Sequence, residues 1–167
     1  MKALEPPHSH FVSAAEGWLG LGDVAEARAE LDRIQPSLRE HPEVLRIRWE
    51  ICAQEKDWPA ALQLGSKLVA VAPEDPTGWL HRAYALRRVP EGGLQAAWDN
   101  LVPALKAFPK IAIIPYNLAC YACQLQQLDR ARELFHRALA AGNKEHIKQL
   151  ALEDADLKAL WNEISLL

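Results

Sequence analysis

Small and large apolar residues recur along this chain at helical spacing, and the recurrence itself repeats. Four short segments read alike: Gly-Asp-Val-Ala-Glu-Ala at 22–27, Lys-Asp-Trp-Pro-Ala-Ala at 56–61, Gly-Gly-Leu-Gln-Ala-Ala at 92–97 and Gln-Leu-Asp-Arg-Ala at 127–131. Each places a turn before a helix and closes on an alanine. The alanines are Ala27, Ala61, Ala97 and Ala131, spaced by 34, 36 and 34 residues. The longer middle interval holds Val89-Pro90-Glu91-Gly92-Gly93, a lengthened turn, because Pro and Gly interrupt helices. In the same frame Ala15, Trp49, Ala83 and Ala119 precede the aligned alanines. Leu31, Gly65, Leu101 and Phe135 follow four residues after them, and Ile34, Leu68, Ala104 and Ala138 seven after. Small residues let the two helices of a hairpin approach, and large ones fill the gap to the next hairpin.

The pattern predicts first helices over about 8–20, 43–55, 76–88 and 112–126, and second helices over about 24–39, 58–72, 93–107 and 128–141. Pro36 and Pro103 fall inside second helices, which predicts a bend or an early end there. Gly142-Asn143 closes the fourth pair. Beyond it, Leu150, Leu152, Leu157, Leu160, Trp161 and Ile164 make two short helical patterns, with Asp154 or Asp156 as N-cap. No stretch alternates with period two between hairpin turns, so no sheet is expected. No linker rich in Ser, Gly or Pro divides the chain, so one continuous array is expected. The expected organisation is a flexible N-terminus over 1–7, repeats over about 8–41, 42–75, 76–111 and 112–142, and C-terminal capping helices over 143–167.

A period of 34 residues is that of the tetratricopeptide repeat (TPR), and the chain resembles that family over roughly residues 8–142. The fourth repeat carries the resemblance best. It reads Tyr116-Asn117-Leu118-Ala119-Cys120-Tyr121-Ala122, then Gln127-Leu128-Asp129-Arg130-Ala131-Arg132-Glu133-Leu134-Phe135, then Ala138. Trp79 stands where the family often has its first-helix Trp. The departures are specific: Trp49 replaces a small residue, Gly65 a large one, and Arg48 and Arg82 a leucine. The segment 151–161 resembles the closing segment of some bacterial repeat proteins. An array needs such a cap, or its last apolar face stays wet. The resemblance implies an all-α, right-handed α-solenoid of about four TPR hairpins plus a C-terminal capping helix.

It also implies a concave groove lined by first-helix positions. Carried over residue by residue, these are Val12, Arg46, Leu80 and Tyr116, then Glu16, Glu50, Tyr84 and Cys120, then Leu19, Ala53, Arg87 and Cys123, and last Gly20, Gln54, Arg88 and Gln124. The expected partner-binding groove comprises Arg46, Glu50, Leu80, Tyr84, Arg87, Arg88, Tyr116, Cys120 and Gln124. Tyr and Arg are the residues enriched at binding hot spots. Arg87 and Arg88 equally suit a helix C-terminus, where cations complement the dipole, and both readings stand. Family members that clamp chaperone tails have Lys and Asn where this chain has Val12 and Glu16. Glu16 would repel a carboxylate, so that role is disfavoured.

Composition narrows the chemistry. The chain has 167 residues, 50% hydrophobic and 25% charged, with net charge −3, which is globular and lacks the basic excess of a nucleic-acid binder. No 18-residue apolar run predicts a membrane span, and the first residues carry no apolar leader pattern. Three cysteines are too few for a disulfide framework, so a reducing cytoplasm is the expected location. Cys120 and Cys123 form a C-x-x-C pair, but in mid-helix rather than at a helix N-terminus, so packing is the expected role. Zinc needs four ligands, and Cys52 lies two repeats away. His8-Ser9-His10 reads as a solvated terminus. His136 and His146 lie in no catalytic motif, and Glu153, Asp154 and Asp156 read as caps. Most of the six tryptophans are expected in the core. No metal or cofactor is expected.

The resulting expectation is a non-enzymatic TPR adaptor or scaffold that binds a protein or peptide through the groove. Arg46, Arg82, Arg87 and Arg88 would form a basic strip suited to an acidic partner surface. Two alternatives accompany it. One is a cytoskeletal accessory protein, by resemblance to small kinesin-light-chain-like repeat proteins that accompany bacterial tubulins. The other is a self-associating scaffold. The chain is expected to be a monomer or to self-associate weakly.

Overall fold

Aspartate, asparagine, proline or glycine marks the start of most helices of the computed structural model. The structure describes residues 3–167. The helices are α1 His8–Gly20, α2 Val24–Asp32, α3 Pro42–Gln54, α4 Trp58–Val71, α5 Pro76–Leu86, α6 Leu94–Leu101, α7 Ala104–Ala107, α8 Ile113–Gln124, α9 Leu128–Ala141, α10 Lys144–Glu153 and α11 Trp161–Ser165. Two 3₁₀ segments, Pro36–Leu38 and Ala155–Leu160, complete the regular structure. No strand occurs among the described residues.

Side chains cap several of these starts. Asp23 accepts from the Glu26 amide at 3.1 Å, Asp57 from Ala60 at 3.1 Å, Asp75 from Thr77 at 2.8 Å and Asn143 from His146 at 3.0 Å. Pro42, Pro59 and Pro76 sit in first turns, where a missing N–H costs nothing. The turn inside each of three hairpins uses a left-handed residue just before the N-cap. These are Gly22 (φ 79°), Lys56 (φ 60°) and Gln126 (φ 61°). The lengthened third turn instead makes Gly93 (φ 105°) the N-cap itself.

The two internal prolines break their helices as expected. α2 ends at Asp32, four residues before Pro36, where the proline ring would meet its carbonyl. The second helix of the third repeat divides at Val102-Pro103 into α6 and α7.

The chain packs as two compact units, one up to Val89 and one from Pro90 onward. The alanines that set the repeat frame are all fully buried: Ala27, Ala61, Ala97 and Ala131, and so are Ala15, Ala83 and Ala119 on the first helices. In the first unit, Val12, Leu19, Leu31, Val44, Ile47 and Ile51 form the larger core. Leu4, in the segment expected to be a flexible terminus, is buried in that core. A second cluster gathers Trp49, Cys52, Ala61 and Ala85, with Trp58 and Leu64 against it. In the second unit α8 is buried along most of its length, between α9 and the C-terminal segment.

Candidate binding site

The first unit carries its chemistry where α3, α4 and α5 meet. Trp49 on α3 is 7% exposed and lies flat against His81 of α5, with ring centroids 3.7 Å apart and planes 8° apart. The edge of Tyr84 meets Trp49 at 5.9 Å, and Trp58, first residue of α4, meets Tyr84 at 5.9 Å. Tyr84 is 42% exposed. The Arg88 guanidinium sits 3.4 Å from the Tyr84 ring centroid and 5.1 Å from that of Trp58. Its Nη1 also donates to the Tyr84 carbonyl at 2.8 Å. Arg88 therefore caps the α5 C-terminus and presents a charge on an aromatic platform at once. Arg87 beside it is the α5 C-cap and is half-buried, as is Leu80 one turn before Tyr84.

Two polar atoms in this cluster, Nε1 of Trp49 and Nδ1 of His81, are buried with no hydrogen-bond partner among the described residues. Burial, assisted by the positive charge of Arg46 and opposed by Asp75, pushes the His81 pKa down from 6.5 to about 4. At neutral pH the ring stacked on Trp49 is uncharged.

The basic strip expected from the sequence is not continuous. Arg46 lies between two carboxylates, 3.2 Å from Glu16 and 3.1 Å from Glu50, so its charge is balanced. Burial raises the Glu50 pKa, with Arg46 opposing the shift. Arg82 turns to Trp79, whose ring centroid lies 5.0 Å from its guanidinium, and burial lowers its pKa. Arg88 lies over the Tyr84 ring, with Arg87 next to it in the chain.

Of the expected groove residues in the second unit, Tyr116 and Cys120 are each 3% exposed. The chain covers them itself. Tyr116 Oη donates to Asp154 Oδ2 at 3.0 Å, and the Cys120 thiol lies 3.5 Å from the same oxygen. Gln124 Nε2 donates to the Asp156 carbonyl at 3.0 Å. Asp154 uses its other oxygen to accept from the Asp156 amide at 2.9 Å, and the Trp161 indole donates to the Ala151 and Asp154 carbonyls. Tyr116, Cys120 and Gln124 thus hold the C-terminal segment. The sequence frame could not show this, because it ends where that segment begins. Burial first, then the neighbouring Cys120 and Asp154, push the Tyr116 hydroxyl far above its ordinary range.

The cysteines are free and buried. Burial raises the pKa of Cys52 and of Cys123, so both stay protonated at neutral pH and are weak nucleophiles. No three His, Cys, Asp or Glu side chains are grouped to hold a metal ion among the described residues. No helix there is long and apolar enough to cross a membrane. Frame positions missed Trp49, Trp58 and His81 as site members. The available signal was Trp49 itself, a large residue where the repeat calls for a small one.

No protein-family profile matches the chain, and comparison with curated proteins returns no match. Solved structures do match. One is TTC0263, a thermophilic TPR protein of Thermus thermophilus, with TM-score 0.70 and 20% identity over 96% of this chain and all of that one. Another is MamA, with TM-score 0.67 and 16% identity over 90% of this chain and 88% of that one. The MamA RS-1 ArsTM double mutant matches with TM-score 0.66 and 15% identity over 90% of this chain and 80% of that one. The fold is therefore that of the tetratricopeptide-repeat α-solenoid.

Proposed function

We propose that this protein is a non-enzymatic adaptor or scaffold that binds an acidic segment of a partner protein at the Tyr84–Arg88 platform. The observation that carries the reading is the stack of a guanidinium 3.4 Å over a half-exposed tyrosine, backed by Trp58 and Trp49. Tyr, Trp and Arg are enriched at binding hot spots, and Tyr and Trp supply large contact area with little loss of rotamer freedom. The platform is already assembled without a partner. Trp49 is held between helices, and Arg88 is tied to the Tyr84 carbonyl. A carboxylate reaching Arg87 and Arg88 would find charge beside an apolar ring, where a guanidinium fork binds it in two places.

The test compares proteins captured from cell extract by the wild-type chain, by the Arg87→Glu, Arg88→Glu double variant and by Tyr84→Ala. A partner held here is lost from both variants, with binding weakened by about 2 kcal/mol or more. It also dissociates as salt rises, because exposed charge pairs are screened. A partner captured equally by all three proteins at low salt would place binding elsewhere on the molecule.

A further inference from the structure

Between α2 and α4, over the middle of α3, lies a cleft of about 400 Å³. Leu31, Ile51, Cys52 and Leu64 give it apolar walls. Arg28, Arg48 and Lys67 bring three cations to its lining against the single carboxylate of Asp32. Two of these cations are engaged outside the lining. Arg28 reaches Glu55 at 2.6 Å, and Lys67 reaches Glu40 at 2.6 Å. Arg48 is different. It is half-buried, faces the cleft and makes no ion pair or hydrogen bond among the described residues. At the Cys52 thiol the fields of Arg28 and Arg48 favour negative charge, and burial, Asp57 and Glu55 oppose it. Arg48 thus brings a guanidinium with no counter-charge to the edge of an apolar wall.

We propose that this cleft is a binding site for a small organic anion: a carboxylate carried on a short hydrocarbon body. The carboxylate pairs with Arg48 at the cationic side, where a planar fork matches both oxygens. The hydrocarbon covers Leu64 and Ala60, the partly exposed apolar residues of the lining, gaining burial that a bare inorganic anion cannot. The volume falls at the lower end of small-molecule sites, which suits a ligand of this size. None of the residues used belongs to the Tyr84–Arg88 platform, so the two sites stand or fall separately.

Octanoate is the probe, titrated into the full chain at low salt by calorimetry, with 1-octanol and inorganic phosphate alongside. An amide-capped Leu-Glu-Leu peptide is titrated as well, to offer the same carboxylate from a protein segment. The site predicts saturable one-to-one octanoate binding, with octanol, phosphate and the peptide each weaker by about ten-fold or more. Arg48→Gln weakens octanoate by about ten-fold or more, and Leu64→Asp does so from the apolar wall. Arg88→Gln leaves the affinity unchanged. Circular dichroism of each variant confirms that it is folded, so that lost binding reports the site. Absence of saturable octanoate binding to the wild type overturns the proposal, as does an Arg48→Gln variant that binds like the wild type. Peptide binding tighter than octanoate, and dependent on Arg48, overturns the small-molecule assignment and makes the cleft a pocket for a partner's side chain.

Discussion

A Cβ added at Gly65 would lie 2.8 Å from the backbone Cα of Arg82. The relationship is mutual across the same pair of helices. A Cβ at Gly78 on α5 would lie 2.9 Å from the backbone nitrogen of Val69 on α4. The repeat frame calls for a large side chain at position 65, and the backbone of α5 takes its place. Arg82, which stands where the family has leucine, turns its guanidinium out over Trp79 instead of filling that gap.

Gly65→Ala should therefore destabilise the protein by about 1–3 kcal/mol, because backbone must move to admit one methyl group. Gly17→Ala is the control. It lies in the interior of α1 with nothing within 4 Å of its new Cβ, and helix propensity alone should stabilise it by up to about 1 kcal/mol. Denaturant unfolding of both variants checks the contrast. Equal effects would mean that α4 and α5 are not in backbone contact.

His81 gives the protein an acid-sensitive element. Its folded pKa of about 4 lies below the unfolded value of 6.5, so between those pH values the unfolded chain binds the extra proton. Stability from this group is complete above pH 6.5 and is lost as pH falls toward 4, by about 3 kcal/mol in all. His81→Phe keeps a ring against Trp49 and cannot take up the proton. The gap in melting temperature between wild type and variant should thus shift in the variant's favour as pH falls from 7 to 4. A gap that stays constant across that range would remove His81 from the acid response.

Lys56 and Gln126 occupy left-handed backbone at φ near 60°, where a Cβ is strained and glycine is not. Lys56→Gly and Gln126→Gly should each stabilise by up to about 1 kcal/mol, although added freedom in the unfolded chain offsets part of the gain. Glycine at Asp57 or Gln127, one residue further on, should not stabilise. Thermal melts of the four variants separate strain at one residue from a general preference for glycine in the turn.

Asp154→Ala should cost about 1–3 kcal/mol, because it leaves the buried Tyr116 hydroxyl without its acceptor. Tyr116→Phe combined with Asp154→Ala should cost less than the sum of the single changes. Additive losses in that double-mutant cycle would show that the two side chains do not interact. Removal of residues 154–167 should be far worse, since it uncovers Tyr116 and Cys120 together and favours aggregation.

The frame of the fold was legible because it rests on local signals. Ala27, Ala61, Ala97 and Ala131 recur at fixed spacing, and each is fully buried. Pro36 and Pro103 broke their helices through backbone chemistry that acts over four residues. The site was less legible, because its contacts cross between elements. Position alone grouped Arg46 with Arg88, but Glu16 and Glu50 balance the first and Tyr84 carries the second. Tyr116 and Cys120 occupied groove positions by register, yet an aspartate more than thirty residues away in sequence decides their exposure. A repeat pattern carries no record of what its own tail will cover.

That tail also occupies groups on the last two repeat helices. In a repeat protein each hairpin offers its outer face to another hairpin of the same kind, so the number of units is not fixed by any one of them. Here α8 meets Asp154 and Asp156, and Arg132 on α9 is clasped by both oxygens of Glu163 at 2.7 and 2.8 Å. A further hairpin joined after α9 would find those groups already satisfied by an unlike segment. Residues outside the repeat frame thus take contacts on α8 and α9 that a hairpin of the same kind would otherwise seek, as a bookend takes the place of the next volume.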